Sequence, residues 1–510
     1  MQKIQRALIS VSEKTGIVEL ALFLNKNGIA IISTGGTYSL LHANNIPAIE
    51  ISDYTKFPEM MDGRLKTLHP KVHGGLLNRE QDVKLLIEHE IESIDLVIVN
   101  LYPFEETLAK TTDYDSIIEK IDIGGPSMVR STAKNHKYKT IITDVNDYEA
   151  LISHLKTNNF FTTFEFRQKM AGKAFALSAY YDSIIANYFA LQCDVSSEFK
   201  TLGFKGVKDL RYGENPHQRA KVYLSGGNSC GFMNFRQLGG KELSYNNIKD
   251  SQAAYDISAF FQKSTNLPTC IIIKHATPCG IACSETIEES YKNALAADST
   301  SAFGGIVSVN RDINEELASE ISKHFFEVII APKFSEKALD ILTKKKNLRL
   351  LQLPFEISEK IQYSFVSGGL LEQERDLTQI DASSFEVKSG TMFSIQDAIF
   401  SFTAVRFLKS NAILITSGKS FVSFGAGQTS RIDSMNIALQ KMAEKSVDVS
   451  QCILSSDAFF PFKDNIELAT KFGIKNIIAP SGSMRDDEVI EEAKKQGINL
   501  VFAKTRHFMH

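Results

Sequence analysis

"RALISVSEKTGIVELALFLNKNGIAIISTGGT" (residues 6–37) is the segment that best indicates how the first third of the chain folds. Two short apolar runs, RALISV (6–11) and IAIIST (29–34), flank a segment with helical spacing of apolar residues that reaches Gly28. The order strand, helix, strand is typical of a parallel sheet covered by helices. A further run, DLVIVNLY (95–102), fits the same sheet. We therefore predict an α/β fold with a doubly wound parallel sheet.

Composition narrows the class of protein. The chain has 510 residues, enough for about three domains. Its 57 Lys and Arg residues nearly balance its 60 Asp and Glu residues, which argues against a nucleic-acid partner. The sequence contains neither a signal-peptide core nor a run of about 18 apolar residues that could span a membrane. Its six cysteines are scattered, so we predict a reduced, cytoplasmic protein.

The pattern of apolar runs restarts after a polar stretch at 193–206, the best candidate for a domain boundary. Beyond it, TCIIIKH (269–275) and SQCILSSDAFF (450–460) both resemble buried strands that end in polar groups, which suggests two related halves. Before it, one long helix carries an apolar stripe that we expect to pack in the core, namely Met170, Ala174, Leu177, Tyr181, Ile184 and Tyr188.

Three loops rich in glycine and hydroxyl residues follow predicted strands of the first third. They are SVSEKTG (10–16), STGGT (33–37) and DIGGPSMVR (122–130). Backbone N–H groups at such a strand-to-helix turn, together with the helix dipole, favour an anion. None of the loops matches a P-loop or G-x-G-x-x-G, and plain turn chemistry remains the alternative for each. We expect a phosphate site that serves neither ATP hydrolysis nor a dinucleotide.

A basic segment, FPEMMDGRLKTLHPKVHGGLL (57–77), suits a shaped lid over an anion better than a helix face. Its basic residues are Arg64, Lys66, His69, Lys71 and His73. A solvated loop is the alternative, and metal binding by the two histidines lacks an acidic or cysteine partner at a recognisable spacing.

Lys134 follows Arg130 by about one helical turn, so both side chains could face the cleft lined by these loops. The neighbouring cation should lower the pKa of Lys134, while Asp122 acts in the opposite direction. A Lys–Asp pair of this kind could pass a proton.

The stretch CIIIKHATPCG (270–280) ends a buried strand in Lys274 and His275, before a Pro-Cys-Gly turn. A zinc site of the deaminase type is one interpretation, but the H-x-E glutamate is missing and Cys279 and Cys283 are spaced one residue too far apart. A structural Lys–His pair is a second interpretation. Acid–base chemistry is the third, because neutral imidazole accepts a proton and the adjacent ammonium stabilises an oxyanion. That pair suits acyl or formyl transfer to a poor amine nucleophile.

Further polar and aromatic segments follow in LRYGENPHQ (210–218), FGAGQTSR (424–431) and SSDAFFPFKDN (455–465). The aromatic residues of the last segment could stack on a flat heterocycle as well as fill the core.

Ten ordered motifs carry a resemblance to a known family. They are SVSEKTG, STGGT, MDGRLKTLHPKVHGG, NLYPF, DIGGPSMVRSTAKNH, RYGENPHQ, KHATPCG, GAGQTSR, SDAFFPF and APSGS. Their order resembles that of the bifunctional purine-biosynthesis family, which joins IMP cyclohydrolase to AICAR formyltransferase. The similarity reaches TRHFMH at the end of the chain. It implies domains at 1–198, 199–380 and 381–510.

The resemblance implies that the first domain is similar to methylglyoxal synthase and closes formyl-AICAR to IMP with loss of water. Lys134 would move protons, with Asp122 and Tyr102 nearby. The residues that would hold the nucleotide are Ser12, Lys14, Thr15, Gly16, Ser33, Thr34, Gly35, Thr37, Arg64, Lys66, Thr67, Asn100 and Gly124.

The resemblance also implies that two halves similar to cytidine deaminase transfer a formyl group from 10-formyltetrahydrofolate to AICAR. His275 would be the base and Lys274 would stabilise the transition state. Glu327 stands where some relatives carry aspartate, and Met484 replaces a small residue. Matching nucleotide positions are Arg211, Tyr212, Gly304, Glu327, Asn411, Arg431, Phe459, Arg506 and Phe508, and matching folate positions are Ile432, Asp464, Ser483 and Met484.

The partners that follow are AICAR, formyl-AICAR, IMP and folate as co-substrate, with neither nucleic acid nor membrane. The family's transferase sites lie at a homodimer interface, so we expect a homodimer. No metal is required for the chemistry, and a monovalent cation is compatible with it. Two alternatives stay open at this point, a nucleotide-binding regulator without turnover and a zinc-dependent hydrolase.

Overall fold

The computed structural model describes residues 2–193, 198–226, 231–357 and 359–510. The chain divides into two compact units, Met1–Val207 with Tyr223–Asn228, and Lys208–Val222 with Ser229–His510. The boundary expected at 193–206 lies partly outside the described residues. Within those residues no helix is long and apolar enough to cross a membrane.

The first unit contains a parallel sheet of five strands in the order β4-β3-β2-β5-β6 among the described residues. Its strands, with two short outer ones, are β1 Gln2–Lys3, β2 Arg6–Val11, β3 Ala30–Ser33, β4 Ile49–Glu50, β5 Leu96–Asn100, β6 Thr140–Ile142 and β7 Phe161–Thr162. Its helices are α1 Ile17–Lys26, α2 Gly35–Ala43, α3 Ile51–Thr55, α4 Pro70–Leu77, α5 Val83–Glu88, α6 Phe104–Lys110, α7 Tyr114–Ile118, α8 Gly124–Lys134, α9 Tyr148–Thr157 and α10 Phe164–Cys193.

The predicted parallel sheet is therefore confirmed. Consecutive residues Ala7, Leu8 and Ile9 of β2 are fully buried because helices cover both faces of the sheet. The stripe on α10 also packs as expected, with Met170 in the main core and Tyr181 in a smaller cluster around α6.

The second unit is built on a sheet of twelve strands in its described part. The strand order is β10-β15-β14-β13-β11-β12-β20-β19-β21-β22-β23-β18. The strands after the first unit's sheet are β8 Phe204–Leu210, β9 Ala220–Ser225, β10 Arg236–Gly239, β11 Thr269–Lys274, β12 Thr277–Cys283, β13 Gly305–Val309, β14 Phe326–Ala331, β15 Arg349–Gln352, β16 Ile361–Val366, β17 Gly369–Glu374, β18 Phe385–Ser389, β19 Ile413–Ser417, β20 Ser420–Gly425, β21 Cys452–Ser456, β22 Asn476–Pro480 and β23 Asn499–Ala503. The helices are α11 Tyr245–Ser264, α12 Ile287–Ala297, α13 Glu315–Ser322, α14 Glu336–Leu342, α15 Ile395–Val405, α16 Arg431–Ala443, α17 Asp464–Lys471 and α18 Asp486–Gln496.

This large sheet is a duplication. Counted outward from the seam between β12 and β20, corresponding strands of the two halves follow one another in the same chain order. Each neighbouring pair is also parallel or antiparallel in the same way in both halves. The seam itself is antiparallel, with Ala282 opposite Ser420, so an approximate two-fold rotation relates the halves. The two halves expected from the sequence are present, but the segments chosen as equivalents are not equivalent. The counterpart of β11 is β19, while β21 corresponds to β13.

A buried serine pair recurs in both halves. The hydroxyl of Ser258 on α11 lies 2.6 Å from that of Ser308 on β13, and Ser401 on α15 lies 2.8 Å from Ser455 on β21. Both pairs tie the central helix of a half to its sheet. One hydrophobic core extends over the face of the sheet that α11 and α15 cover, across both halves. The opposite face carries two separate hydrophobic clusters, one in each half.

Candidate functional site

A cavity of about 570 Å³ opens at the carboxyl edge of the five-stranded sheet, where β2, β3 and β5 end. Most of the residues expected to hold a nucleotide line it. The expected residues that line it are Ser12, Lys14, Thr34, Thr37, Arg64, Lys66, Thr67, Asn100, Tyr102, Asp122 and Gly124.

Asn100, at the end of β5, fixes the loop that follows β2. Its Oδ1 accepts the N–H groups of Ser12 at 2.5 Å and Glu13 at 2.9 Å, and its Nδ2 donates to the Glu13 carbonyl at 3.0 Å. The backbone of the SVSEKTG loop is thereby held open toward the cavity.

Two lysines concentrate positive charge on the same side of the cavity. Lys14 donates to the carbonyl of Val11 and to Thr37 Oγ1 at 2.8 Å. Burial and the nearby charge of Lys66 lower the pKa of Lys14. The N-terminus of α2, with Thr34 as its N-cap, adds its dipole at this point. An anion bound here would be stabilised by all three groups.

The predicted lid is only partly a loop. Arg64 pairs with Glu119, and Lys66 lies 3.8 Å from Glu59, on the irregular part of the segment. Contrary to the prediction, the remainder forms α4, because Pro70 suits the first helical position and His69 caps the helix by accepting the N–H of Lys71 at 3.2 Å. Only the first part of the segment therefore lines the cavity.

Asp122 stands beside the cavity as a buried carboxylate. Its Oδ1 accepts the N–H of Gly125 at 2.8 Å and its Oδ2 that of Tyr102 at 3.4 Å. Burial raises the pKa of Asp122, while these hydrogen bonds and the charge of Lys66 oppose the rise. Burial and the charge of Asp122 also raise the pKa of Tyr102. The pair is thus equipped to hold or exchange a proton.

Some expected residues do not line this cavity, namely Thr15, Gly16, Ser33, Gly35 and Lys134. Gly35 is adjacent, since a Cβ on it would lie 3.7 Å from Lys66 Nζ. Lys134 is the last residue of α8, whose first residue reaches the cavity, and a rise of about 1.5 Å per residue separates the helix ends by about 15 Å. Arg130 is likewise absent from the lining, so the expectation that both cations face the cleft was wrong.

Sequence reasoning missed other lining residues, among them Ser10, Gly36, Asp62 and Glu119. Ser10 was foreseeable, because it begins the SVSEKTG loop, and its hydroxyl lies 2.7 Å from that of Thr34. Glu119 carried no local signal, since its partner Arg64 is 55 residues away.

In the second unit, the Lys-His pair ends β11 at a two-residue turn. The turn consists of His275 and Ala276, both left-handed with φ of 54° and 56°, and not of the expected Pro-Cys-Gly. Pro278 instead pairs with Ile273 inside β12, next to a bulge that tolerates proline. The exposed imidazole therefore projects from a tight hairpin at the sheet edge.

Lys274 is held beside it by the loop before β13. Its Nζ donates to the carbonyls of Phe303 at 2.9 Å and Gly304 at 3.3 Å. Two of the three ammonium donors are used in this way, which leaves one for a substrate oxygen. Phe303 and Phe325 lie nearby as exposed rings, with centroids 5.1 Å apart and planes tilted by 45°.

A second cluster lies in the other half of the sheet. Arg431, buried at the start of α16, pairs with the fully buried Asp457 and donates to Asn411 Oδ1 at 2.9 Å and to Ser456 Oγ at 2.9 Å. Asn411 also donates to the carbonyl of Gln428 at 3.0 Å. Each polar group of this buried cluster has a partner, which makes it rigid.

The C-terminal segment is anchored next to that cluster. The buried His507 pairs with Asp376 and lies within 3.4 Å of Arg406. Burial would raise the pKa of Asp376, but His507 and Arg406 outweigh it and hold the pKa at about 2. His507 separates Arg506 and Phe508, and the guanidinium of Arg506 lies over the Phe508 ring at 4.7 Å.

The two clusters share one edge of the sheet. Since β12 and β20 are antiparallel, the amino end of β12, with His275, and the carboxyl end of β20, before Arg431, lie on the same side. Expected residues at this edge also include Gly304, Glu327, Asn411, Phe459, Ser483, Met484, Arg506 and Phe508.

Other expected residues make contacts outside the two clusters. Glu327 accepts Arg349 Nη1 at 2.7 Å and Asn247 Nδ2 at 3.4 Å. Arg211 lies over the ring of Tyr212, at 5.5 Å from its centroid. The folate positions Asp464, Ile432, Ser483 and Met484 lie at or before helix starts, with Met484 fully exposed. Among the described side chains, no three His, Cys, Asp or Glu residues are grouped to hold a metal ion.

The fold and sites define a two-unit α/β protein, with a cavity lined by basic and hydroxyl side chains in one unit and an exposed Lys–His hairpin in the other. Comparisons with known proteins agree with this class. A family model described as MGS-like domain matches residues 16–127, and one described as AICARFT/IMPCHase bienzyme matches residues 132–441.

Relatives cover the whole chain. The bifunctional purine biosynthesis protein PurH of Persephonella marina is 46% identical, over 99% of this chain and 100% of the relative. The proteins of the same name from Roseobacter denitrificans and Neisseria meningitidis serogroup C are 45% and 44% identical, each over at least 99% of both chains. The crystal structure of ForH is 34% identical over 36% of this chain and 99% of its own, but the TM-score of 0.34 is too low to inform the fold. The chain belongs to the AICARFT/IMPCHase bienzyme family.

Proposed function

We propose that the two activities of this family, AICAR formyltransferase and IMP cyclohydrolase, are divided between the two units. Formyl transfer takes place at the edge of the twelve-stranded sheet, and cyclisation takes place in the cavity of the first unit. The observation that carries the assignment is the Lys274–His275 hairpin, where an exposed imidazole and an anchored ammonium end the same strand.

In formyl transfer, the exocyclic amine of AICAR attacks the formyl carbon of 10-formyltetrahydrofolate. This amine is a poor nucleophile because its lone pair is delocalised into the imidazole carboxamide. His275 takes the proton that the amine loses, and Lys274 stabilises the oxygen that becomes negative in the tetrahedral intermediate. Collapse of the intermediate breaks the bond between the formyl carbon and N10, N10 takes up the proton held by His275, and tetrahydrofolate is released.

In cyclisation, the carboxamide nitrogen attacks the formyl carbon of the product and water leaves. Asp122 and Tyr102 lie at the cavity and have raised pKa values, so they suit proton transfer to and from the groups that react. Lys14 and Lys66, with the N-terminus of α2, bind the phosphate of the nucleotide. The proton-carrier role of Lys134 rests on the family resemblance alone, since this residue lies at the end of α8 away from the cavity, and the rate of cyclisation in Lys134→Ala tests it.

The Asn411–Arg431–Asp457 cluster binds AICAR from the second half of the sheet, with Phe459 as a stacking surface. Neighbouring strands lie about 4.8 Å apart, so the two nucleotide positions Glu327 on β14 and Phe459 after β21 are about 29 Å apart along the sheet. That distance exceeds the length of a mononucleotide. A homodimer, in which a second copy completes each site, accounts for the spread.

The folate co-substrate contacts Asp464, Ile432, Ser483 and Met484 in this proposal, and a monovalent cation is compatible with it. The described cysteines are free thiols, which supports a reducing compartment such as the cytoplasm.

The experiment compares both reactions in single variants. Formation of tetrahydrofolate from AICAR and 10-formyltetrahydrofolate, followed by absorbance, should fall by about 10²–10⁴-fold in His275→Ala. Cyclisation of formyl-AICAR supplied directly should be unchanged in this variant. His324→Ala, an exposed histidine of the same unit outside both clusters, serves as the control. A folded His275→Ala protein that loses both reactions, or neither, contradicts the division between units.

A further inference from the structure

The turn that presents the general base is sterically unfavourable. Lys274 and Thr277 form the last pair of the β11–β12 ladder, and only His275 and Ala276 lie between them. Both have positive φ, a conformation in which Cβ crowds the backbone, and turns of this kind favour Asn and Gly. Something outside the turn must therefore stabilise it.

The second half of the sheet contains the same hairpin without the catalytic pair. There Ser417 and Ser420 form the last pair of β19 and β20, and the residue in the place of His275 is Gly418, with φ of 55°. Glycine adopts this conformation without a steric penalty. The duplication thus provides an internal comparison, in which only the half with histidine has the strained turn.

Asp250 reaches the strained turn from a neighbouring helix. Its Oδ1 accepts the backbone N–H of Ala276 at 2.9 Å, over a sequence separation of 26 residues. Asp250 lies on α11, whose start is fixed by a capping box between Ser244 and Asn247. The carboxylate therefore extends from a rigid element to the centre of the turn.

The groups that act on the Asp250 carboxyl, apart from its burial, all belong to the hairpin. Burial raises the pKa of this carboxyl, while hydrogen bonds from the backbone of Ala276 and His275 and the charges of His275 and Lys274 oppose the rise. A side chain that is partly removed from water and directed at one backbone segment has its orientation restricted by that segment.

We propose that Asp250 is a positioning residue, which holds the left-handed His275–Ala276 turn so that the imidazole and the Lys274 ammonium keep a fixed relation to the substrate. This inference rests on the function proposed above for His275. Asp250 transfers no proton and contacts no substrate in this role; it acts through the backbone of the turn.

Two substitutions separate the hydrogen bond from the charge. Asp250→Ala removes the acceptor, and kcat for formyl transfer should fall by about 10–100-fold, as expected when a catalytic group is displaced by about 1 Å. Asp250→Asn keeps an acceptor oxygen of the same geometry and should stay close to the wild-type rate. Equal loss in both variants would overturn the positioning role, because it would assign the effect to the charge.

A second-site change tests the mechanism directly. Ala276→Gly lets the turn adopt positive φ without help, so it should restore much of kcat in the Asp250→Ala background. If Asp250 only stabilised α11, a glycine in the turn would not restore kcat. Failure of the rescue, with the double variant folded by circular dichroism, overturns the proposal.

Matched controls distinguish this proposal from the one it rests on. Asp256→Ala, on the same helix, removes an ion pair with Arg375 at 3.0 Å and should leave kcat unchanged. His275→Ala is measured in parallel. If His275→Ala retains formyl transfer, the proposed function fails; if it abolishes transfer and Asp250→Ala is fully active, only the positioning role fails.

Discussion

The ammonium of Lys274 donates a hydrogen bond of 2.9 Å to the carbonyl oxygen of Phe303, which ties the end of β11 to the loop before β13. This contact aims a long, flexible side chain along the sheet edge, next to His275. Lysine side chains lose considerable rotamer entropy when they are fixed, so the loop contributes directly to the position of this ammonium.

The first prediction concerns the glycine of that loop. Gly304 has φ of +68°, and a Cβ on it would lie 3.2 Å from Lys274 Nζ. Gly304→Ala should displace the ammonium and lower kcat/KM of formyl transfer by about 10–100-fold, with cyclisation unchanged. Gly368→Ala is the control, since Gly368 has φ of +80° and a Cβ on it would meet no atom of the described residues within 4 Å. Equal effects of both substitutions would mean that backbone strain alone is responsible.

The second prediction concerns the carboxylate of the cyclisation cavity. Asp122→Asn keeps an acceptor for the Gly125 N–H but cannot ionise, so cyclisation should fall by about 10²–10⁴-fold while formyl transfer is retained. Asp113→Asn, which alters the cap of α7 through the Ser116 N–H at 2.9 Å, is the control. An active Asp122→Asn protein would show that the residue only caps α8.

The same residue gives a pH prediction. Because the pKa of Asp122 is raised above 3.8, its ionised form is lost as the pH falls through that higher value. If ionised Asp122 is the base, the acidic limb of the cyclisation rate should lie above pH 3.8 and should disappear in Asp122→Asn. A limb that persists in the variant would assign it to another group.

The third prediction uses the buried serine pairs. Ser258→Ala leaves the Ser308 hydroxyl without its partner and should lower the free energy of unfolding by about 1–3 kcal/mol. Replacing both serines should cost less than the sum of the single changes. The Ser401–Ser455 pair should give the same coupling, and strictly additive losses in denaturant unfolding would contradict it.

The fourth prediction concerns a buried lysine of the first unit. Burial lowers the pKa of Lys139 from 10.5 to about 8, although Asp95 opposes the shift. Between these two pH values the unfolded chain binds more protons, so the free energy of unfolding should rise with pH, by at most about 1.4 kcal/mol per pH unit. Lys139→Met should remove this slope in urea unfolding, and an unchanged slope would assign it to other groups.

Local sequence patterns were sufficient to predict the parallel sheet of the first unit and the loops at its edge. The β2–α1–β3 arrangement depends on spacing within about 30 residues, and the loops after these strands do line the cavity. The position of Lys134 was beyond such reasoning, because helical spacing predicts which face a residue shares but not which end of the helix the cavity touches. The turn at His275 was missed for a different reason. Pro278 enters β12 beside a bulge, which depends on pairing with β11 rather than on the Pro-Cys-Gly pattern.

The correspondence between the two halves of the large sheet was also beyond local sequence patterns. Two strands with polar ends were recognised, but which strands correspond is decided by their neighbours in the sheet. Asp250 left no signal at all, since its only clear link to the hairpin spans 26 residues.

The antiparallel seam between β12 and β20 bears on the origin of the chain. A single half, alone, would leave β12 as an unprotected border strand, open to pairing with an identical molecule. Two such molecules joined border to border would have the two-fold arrangement that Ala282 and Ser420 now form within one polypeptide. The chain therefore has the form of a fused pair of copies, in which each half covers the border strand of the other.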